Sequence, residues 1–312
     1  MSTLAVDWRT VRREFPALAN WTFLNTATFG QLSRRCTEAV ARHYTLRDET
    51  ACADFLDWFD DADRIRRTVA RLINCAAEDV AFVPNASHAL SIVFNGMEWR
   101  AGDRIITLAG EFPNNIYNPA VMSARGAEFV ETPWERFGEE IARGARLVLV
   151  SSVNYTTGFR PPLAELSAML RNWGTLLFVD GTQSIGALRF DCAEVQPDFL
   201  AVHGYKWLLS PTGAGFFYVR PEARQWLRPT VIGWRSDKRW RSVDALHHGA
   251  PEFVQAAEKY EGGMLNFGAL YGMGASVEMM AELGTDVIER RVLELAAEAR
   301  GILERAGARV LH

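Results

Sequence analysis

Three apolar segments of the sequence each lead to a polar residue that could take part in covalent chemistry. One ends at Asp180, a second leads to Lys206, and a third, which ends at Val83, leads to Ser87 at the start of a predicted helix. In open α/β sheets, ligands bind beyond the carboxyl ends of the strands. We therefore expect the carboxylate, the amine and the helix start to lie at one site.

Pyridoxal 5'-phosphate (PLP) requires this set of groups. Its aldehyde needs an amine to form a Schiff base, which Lys206 supplies, and its pyridine nitrogen needs a carboxylate to stay protonated, which Asp180 supplies. Its phosphate needs an anion site, and the N–H groups and dipole of the helix near Ser87 provide one. Taken singly, each residue has a simpler interpretation: a surface lysine, or a helix N-cap for Asp180 and Ser87.

The order of elements predicts an α/β fold. Seven short β-rich segments alternate with segments of helical period, at residues 80–83, 104–108, 128–131, 146–151, 175–179, 199–202 and 215–219. This alternation favours a mostly parallel sheet flanked by helices. We predict a large domain over residues 21–225. Residues 1–20 and 226–312, which include an amphipathic helix over residues 287–306, are predicted to form a smaller, discontinuous domain.

The segment that begins Asp180-Gly181-Thr182-Gln183, with Lys206 26 residues after Asp180 and a glycine-rich turn at residues 211–215, resembles a known enzyme family. It is similar to the class V aminotransferase-like enzymes of fold type I, which include cysteine desulfurases, isopenicillin N epimerase and kynureninase. The resemblance begins near Phe23 and runs to the end of the chain. It implies PLP as cofactor, an amino-acid substrate, an α+β small domain and a homodimer.

The resemblance assigns five residues to the cofactor ring. It implies that Asp180 pairs with the pyridinium nitrogen, that Gln183 lies near the phenolic oxygen, and that Lys206 forms the Schiff base and moves the substrate α-proton. Phe112 is implied to stack on the ring, at a position where many relatives carry histidine. Asn154 is implied to lie between cofactor and substrate, although it could also be a turn residue.

Five further residues are implied to hold the phosphate. Ser87 and the N–H groups around Ala86 and His88 lie at the helix start. His203, where relatives usually carry serine, and Tyr205, where many carry histidine, are expected to add contacts.

The substrate anchor is the least determined part of the predicted site. Relatives usually bind the substrate carboxylate with an arginine of a C-terminal subdomain, and this chain stops before that subdomain would be complete. Either the sequence is partial, or another arginine binds the carboxylate; Arg160 and Arg235 are the candidates, because a guanidinium fork matches a carboxylate. Asn25 is a further candidate. Met264 stands where many relatives carry a threonine that reaches the partner's phosphate.

Composition excludes several other classes of protein. The net charge of -4 and the scattered basic residues do not indicate a nucleic-acid or membrane-surface binder. The apolar runs are too short to span a bilayer, and the first residues lack the pattern of a secretory signal. The four cysteines show no metal or paired spacing, which favours free thiols, no metal site and a cytoplasmic protein.

Three functions remain open. The favoured one is a PLP enzyme that transaminates or epimerises an amino acid or eliminates one of its side-chain groups. Desulfuration through a cysteine on a C-terminal loop is not expected, because the last cysteine, Cys192, precedes Lys206. The alternative is a PLP-binding relative that is catalytically impaired or truncated. A nucleotide-binding α/β protein is the weakest, since neither GxGxxG after the first strand nor GxxxxGK[ST] occurs.

Overall fold

The computed structural model describes residues 6–246 and 249–310. Its strands are β1 (Val80–Val83), β2 (Arg104–Leu108), β3 (Glu128–Thr132), β4 (Leu147–Ser151), β5 (Leu176–Asp180), β6 (Phe199–His203) and β7 (Gly215–Val219). Its α-helices are α1 (Trp8–Arg13), α2 (Arg34–Thr50), α3 (Asp57–Leu72), α4 (Ala86–Gly96), α5 (Asn114–Ala120), α6 (Trp134–Ala142), α7 (Leu163–Asn172), α8 (Cys192–Val195), α9 (Pro221–Trp226), α10 (Phe267–Leu283) and α11 (Thr285–Arg305).

The strands form one seven-stranded sheet in the order β1-β7-β6-β5-β4-β2-β3. Strands β2 to β6 pair in parallel, and β7 is antiparallel to both of its neighbours. The predicted, mostly parallel sheet is confirmed, and each predicted strand matches an observed one to within one residue at either end. Strands β4 and β7 are buried along their whole length, which explains their continuous apolar sequences.

The carboxyl ends of the strands that carry the predicted site residues lie at one edge of the sheet. Because β7 is antiparallel to both β1 and β6, strand β1 runs in the same direction as β6. Val83 and His203, the last residues of these two strands, are both in register with Gly215. Ser151 and Asp180, the last residues of β4 and β5, are in register with each other. The carboxyl ends of four strands therefore lie together.

Helices cover both faces of the sheet. On one face α3, α10 and other helices pack on the strands, and α10 contributes Phe267, Leu270, Met273, Val277 and Met280 at helical spacing. On the other face α4 packs through an apolar side that includes Leu90 and Val93. Helix α10 belongs to the predicted small domain, yet it shares a core with the sheet. The division predicted at residue 226 does not coincide with a break in packing there.

The predicted helix over residues 287–306 is confirmed as α11. None of its residues is buried. Between residue 226 and residue 310, the described part of the chain holds no strand beyond an isolated bridge between Asp237 and Phe253. Within the described ranges, no helix combines the length and apolar character that crossing a membrane demands.

Two glycines let neighbouring segments approach the loop that carries Lys206. The Gly30 N–H donates to the Tyr205 carbonyl at 2.9 Å, and a Cβ added at Gly30 would lie 2.0 Å from the Lys206 carbonyl oxygen. At Gly186, where φ is +107°, an added Cβ would lie 2.1 Å from the Trp207 oxygen. Both contacts involve backbone, which cannot move aside as a flexible side chain could. The backbone of the Lys206 loop therefore packs directly against the backbone at both glycines.

A methyl group at Gly30 should therefore disturb this loop. We expect Gly30→Ala to lower the free energy of unfolding by about 2 kcal/mol, the usual cost of overpacking. Gly138→Ala is the matched control, since Gly138 lies in α6 with nothing near the added Cβ, and it should be neutral or stabilising by up to about 1 kcal/mol. Urea unfolding of both variants measures the difference. Equal stabilities would contradict the close contact at Gly30.

Candidate functional site

A cavity of about 270 Å³ opens at the carboxyl edge of the sheet. It is close to the lower end of the range of roughly 300–1,000 Å³ that ligand pockets occupy. Eight of the ten predicted cofactor residues line it: Ala86, Ser87, Phe112, Asp180, Gln183, His203, Tyr205 and Lys206. The residues that could do chemistry thus share one site.

Lys206 is buried, and its amine faces two aromatic rings. The side chain is 7% exposed, and Nζ lies 5.3 Å from the centroid of the Phe112 ring and 5.7 Å from that of Tyr205. Within the described residues, Nζ has no hydrogen-bond partner and no ion pair. Burial lowers the pKa of Lys206, and the negative charge of Asp180 opposes this shift only in part. This shift increases the fraction of the neutral amine, which is the nucleophilic form, relative to an exposed lysine.

The other two lysines of the chain are committed elsewhere. Lys238 pairs with Glu252 on the surface. Lys259 donates from Nζ to the Arg224 carbonyl at 2.5 Å. Lys206 is thus the lysine whose amine faces the cavity without a partner.

Asp180 supplies a buried carboxylate at the end of β5. Burial raises the pKa of Asp180, while hydrogen bonds from Thr182 and the charge of Lys206 act in the opposite direction. One of these bonds runs from the Thr182 N–H to Oδ1 at 2.9 Å. Asp180 and Lys206 influence each other but form no direct ion pair in the described structure, which leaves space between amine and carboxylate.

The N-terminus of α4 forms another wall of the cavity. Asn85 is the N-cap, because its Oδ1 accepts the His88 N–H at 2.9 Å. The possibility that Ser87 is the cap is therefore wrong, and the Ser87 hydroxyl is not used in this way. The first N–H groups of a helix, here those of Ala86 and Ser87, have no partner within the helix. N–H groups in this position at a helix start are suited to binding an anion.

His203 is the last residue of β6, Tyr205 follows two residues later, and their side chains contact each other. Their ring centroids are 4.1 Å apart in an edge-to-face arrangement, and Phe29 packs on Tyr205 from outside. Burial and the nearby charge of Lys206 lower the pKa of His203 to about 4. The imidazole is therefore neutral near pH 7, with one N–H donor and one acceptor.

Gln183 lines the cavity, but its amide also ties two loops together. Nε2 donates to the Ala27 carbonyl at 3.0 Å, and Oε1 accepts the Trp207 indole N–H at 2.9 Å. Its position near the phenolic oxygen of a cofactor stays a prediction.

Two predicted cofactor residues do not line the cavity. His88 faces a neighbouring cavity that Met264 also borders. The side chain of Asn154 is engaged in a turn, where Oδ1 accepts the N–H groups of Thr156 and Thr157 and Nδ2 donates to the Gly110 carbonyl. For Asn154 the structure therefore favours the turn interpretation over contact with a ligand.

The structure does not bring Arg235 to the cavity. The guanidinium is 1% exposed and donates to Glu258 at 2.6 Å and to Glu261 at 3.0 Å. It also packs against the rings of Phe59 and Trp240. Its charge is already compensated inside the core, so the prediction that Arg235 anchors a substrate has to be corrected.

The other two substrate candidates also lie outside the cavity. Arg160 borders a separate cavity and forms an ion pair of 3.5 Å with Glu289 of α11. Asn25 is exposed and accepts a hydrogen bond from the Thr28 hydroxyl. Among the residues described, no arginine lines the cavity around Lys206.

Several residues of the site are not among those predicted from the sequence. Asn85, Asn114, Ser151, Tyr155 and Thr182 also line the cavity. Ser151 is the last residue of β4, so the rule that strand ends carry the site would have found it. Thr182 is hydrogen-bonded to two other residues of the site: its N–H donates to Asp180, and its hydroxyl accepts the His203 N–H at 3.2 Å.

Several known proteins are similar to this chain. A probable cysteine desulfurase of Pyrococcus abyssi is 29% identical over 240 residues, which is 74% of this chain and 58% of that protein. The chain thus spans less than two thirds of the length of this relative. A solved structure of a C-DES variant with glycine covalently linked to the PLP cofactor is 25% identical, with a TM-score of 0.80 over 90% of this chain and 76% of that one.

A second C-DES structure, described as a complex between this cystine C–S lyase and its reaction product cysteine persulfide, is 26% identical. Its TM-score is 0.76 over 87% of this chain and 74% of that one. The model of the family described as aminotransferase class V matches residues 53–311. This match leaves no support for a nucleotide-binding protein. The resemblance drawn from Asp180 and Lys206 is confirmed, and the chain belongs to the class V aminotransferase family.

Proposed function

We propose that this chain is a PLP-dependent enzyme of the C–S lyase type, which holds its cofactor on Lys206 and acts on a sulfur-containing amino acid. The observation that carries the proposal is the cavity that joins the unpartnered amine of Lys206 to the buried carboxylate of Asp180. The relatives described as cysteine desulfurases and as a cystine C–S lyase support the substrate class.

The groups around the cavity fit PLP in kind. The Lys206 amine is suited to a Schiff base, and Asp180 can face a protonated ring nitrogen. The N–H groups of Ala86 and Ser87 suit a phosphate, and the flat face of Phe112 suits an aromatic ring. When bound, PLP draws electrons from the substrate Cα and so makes the α-proton acidic.

The residues of the chain would supply the remaining steps. Lys206, whose pKa is lowered by burial, would take the proton from the substrate Cα. Asp180 would keep the ring nitrogen charged, since the cavity shields both groups from water. Phe112 has no titratable proton, so it would orient the ring and exclude water but transfer no proton.

The cysteines favour elimination over sulfur transfer to the enzyme. Among the residues described, no cysteine lines the cavity: Cys36 and Cys192 are buried elsewhere, and Cys52 and Cys75 are half-buried. A desulfurase needs a thiol beside the substrate to accept sulfur. An α,β-elimination needs none, because the sulfur leaves as hydrogen sulfide from cysteine or as cysteine persulfide from cystine.

We propose a homodimer in the cytoplasm, with Met264 beside the start of α4 near the dimer contact. Met264 is 60% exposed and borders the cavity that His88 also lines. The alternative, PLP binding without turnover, is not favoured, because the relatives are enzymes; it remains an outcome of the substrate test.

Products from a panel of amino acids test the reaction. In the presence of PLP we expect cysteine to yield pyruvate, ammonia and hydrogen sulfide, and cystine to yield pyruvate, ammonia and cysteine persulfide. Elimination breaks the Cβ–S bond, and the enamine that remains hydrolyses to pyruvate and ammonia. Alanine as the product would instead indicate desulfuration, and a keto acid together with pyridoxamine phosphate would indicate transamination. No product from any amino acid would contradict the proposal and support the impaired alternative.

Replacement of Asp180 separates cofactor binding from catalysis. We expect Asp180→Asn to keep much of the PLP bound but to lower turnover by on the order of 100-fold or more, because asparagine cannot hold the ring nitrogen protonated. Asp198→Asn is the control, since Asp198 is a buried carboxylate paired with Arg220 just before β6 and far from the cavity. The control should lose stability and keep its turnover per folded molecule. Normal turnover by Asp180→Asn would show that the assignment of Asp180 is wrong.

The charge state of His203 predicts a pH dependence of stability. Its folded pKa of about 4 lies below its ordinary value of 6.5, so the unfolded chain binds the proton first as the pH falls. Stability should therefore decrease from about pH 6.5 towards pH 4, and His203→Gln should make this decrease less steep. Urea unfolding of the wild type and of the variant at pH 7 and pH 5 measures this loss of stability. An equally steep loss in the variant would mean that His203 is not held neutral.

A further inference from the structure

Glu111 carries a buried carboxyl group beside the site. The catalytic steps proposed for Lys206, Asp180 and Phe112 do not use it. It is 5% exposed, and it forms no ion pair with any described residue. All its hydrogen bonds come from two residues: the Ser151 N–H donates to Oε1 at 2.7 Å, and the Asn115 amide donates to Oε2 at 3.0 Å. The Ser151 hydroxyl also donates to Oε2.

These bonds join two strand ends that are far apart in sequence. Glu111 lies in the short loop between β2 and α5, directly before Phe112. Ser151 ends β4, lines the cavity and is the register partner of Asp180. The Glu111 carboxyl group therefore ties the loop that carries the Phe112 ring to the strand end beside Asp180.

The loop has further contacts: the Ala109 N–H donates to the Thr132 carbonyl at 2.8 Å where the loop begins, and Phe112 packs edge-on against Tyr155. The two hydrogen bonds of Gly110 give weaker support. The Gly110 N–H donates to Glu131 at 3.1 Å, and the Gly110 carbonyl accepts from Asn154 at 2.9 Å, and both of these bonds are exposed to water. Asn115 is fully buried, and its Nδ2 also donates to the Ser151 hydroxyl at 3.1 Å, which closes a ring of three side chains. A bond without competing water holds its partners more firmly. Glu111 is the buried anchor of the loop.

We propose that Glu111 is a positioning residue, whose carboxyl group fixes the Phe112 ring above Lys206 by binding the loop to the end of β4. The cofactor-facing part of this inference rests on the proposed function, since Phe112 acts on PLP only if PLP binds there. The anchoring itself concerns only residues of this chain. Each part has its own measurement.

Amide hydrogen exchange in the PLP-free protein tests the anchoring. Glu111→Ala removes the acceptor of the Ser151 N–H, so the amide of Ser151 and residues 109–116 should exchange at least about tenfold faster. Glu111→Gln should stay close to the wild type, because its carbonyl can accept from Ser151 and Asn115 can rotate its amide by 180°. Glu131→Ala is the matched control on the exposed side of the loop, and it should have little effect. Unchanged exchange in Glu111→Ala would overturn the proposal.

PLP affinity in a double-mutant cycle tests the action through Phe112. We expect Glu111→Ala to weaken PLP binding by about tenfold in the wild-type background and by less than about twofold when Phe112→Ala is already present. Equal losses in both backgrounds would show that Glu111 does not act through Phe112 and would overturn the proposal. Should Glu111→Ala fail to fold, Glu111→Asp withdraws the carboxyl group by one methylene and provides the same comparison.

The outcomes distinguish this inference from the proposed function. If the wild type binds no PLP, the proposed function fails, and the exchange data still decide whether Glu111 anchors the loop. If the wild type binds PLP and Glu111→Ala changes neither exchange nor affinity, the positioning role fails while the proposed function stands.

Discussion

The site depends on an amine and a carboxylate that are buried in one cavity without touching each other. Lys206 and Asp180 are each more than 90% buried, and each shifts the pKa of the other, yet they form no direct ion pair. Isolated charges are costly to bury, and proteins usually pair them at once. An arrangement that keeps the two groups apart therefore needs the surrounding hydrogen bonds to stabilise it. It suits a ligand that brings a positive charge to the carboxylate and a carbonyl group to the amine.

The sheet and its loops supply that help. Asp180 is held by Thr182, which in turn accepts from the backbone of His203, so the ends of β5 and β6 are joined at the cavity. The loop of Lys206 is held where the Gly30 backbone meets it. On the other side, Glu111 binds the end of β4. Polar groups at neighbouring strand ends thus fix one another around the cavity.

Much of this could be predicted from the sequence, for physical reasons. Most of the strands are buried on both faces and read as short apolar runs, whereas the edge strand β3 is partly exposed and is recognisable by its β-rich composition. The rule that ligands lie at the carboxyl ends of strands points to Asp180 and Lys206. Glu111 could not be found in this way, because its role depends on a contact between two distant strand ends. Arg235 was chosen for its residue type alone, and nothing local in the sequence reveals that Glu258 and Glu261 already neutralise it in the core. The choice between Asn85 and Ser87 as helix cap likewise depends on the residue at which α4 begins, which sequence patterns locate poorly.

The central claim is that Lys206 carries the cofactor, and reduction with borohydride tests it most directly. The chain has only three lysines, Lys206, Lys238 and Lys259, so a reduced adduct can be mapped to one of them without ambiguity. The account predicts a visible absorption band with PLP that borohydride removes, a phosphopyridoxyl group on the peptide that contains Lys206, and neither in Lys206→Ala. An adduct on Lys238 or Lys259, or an unchanged band in Lys206→Ala, would contradict it.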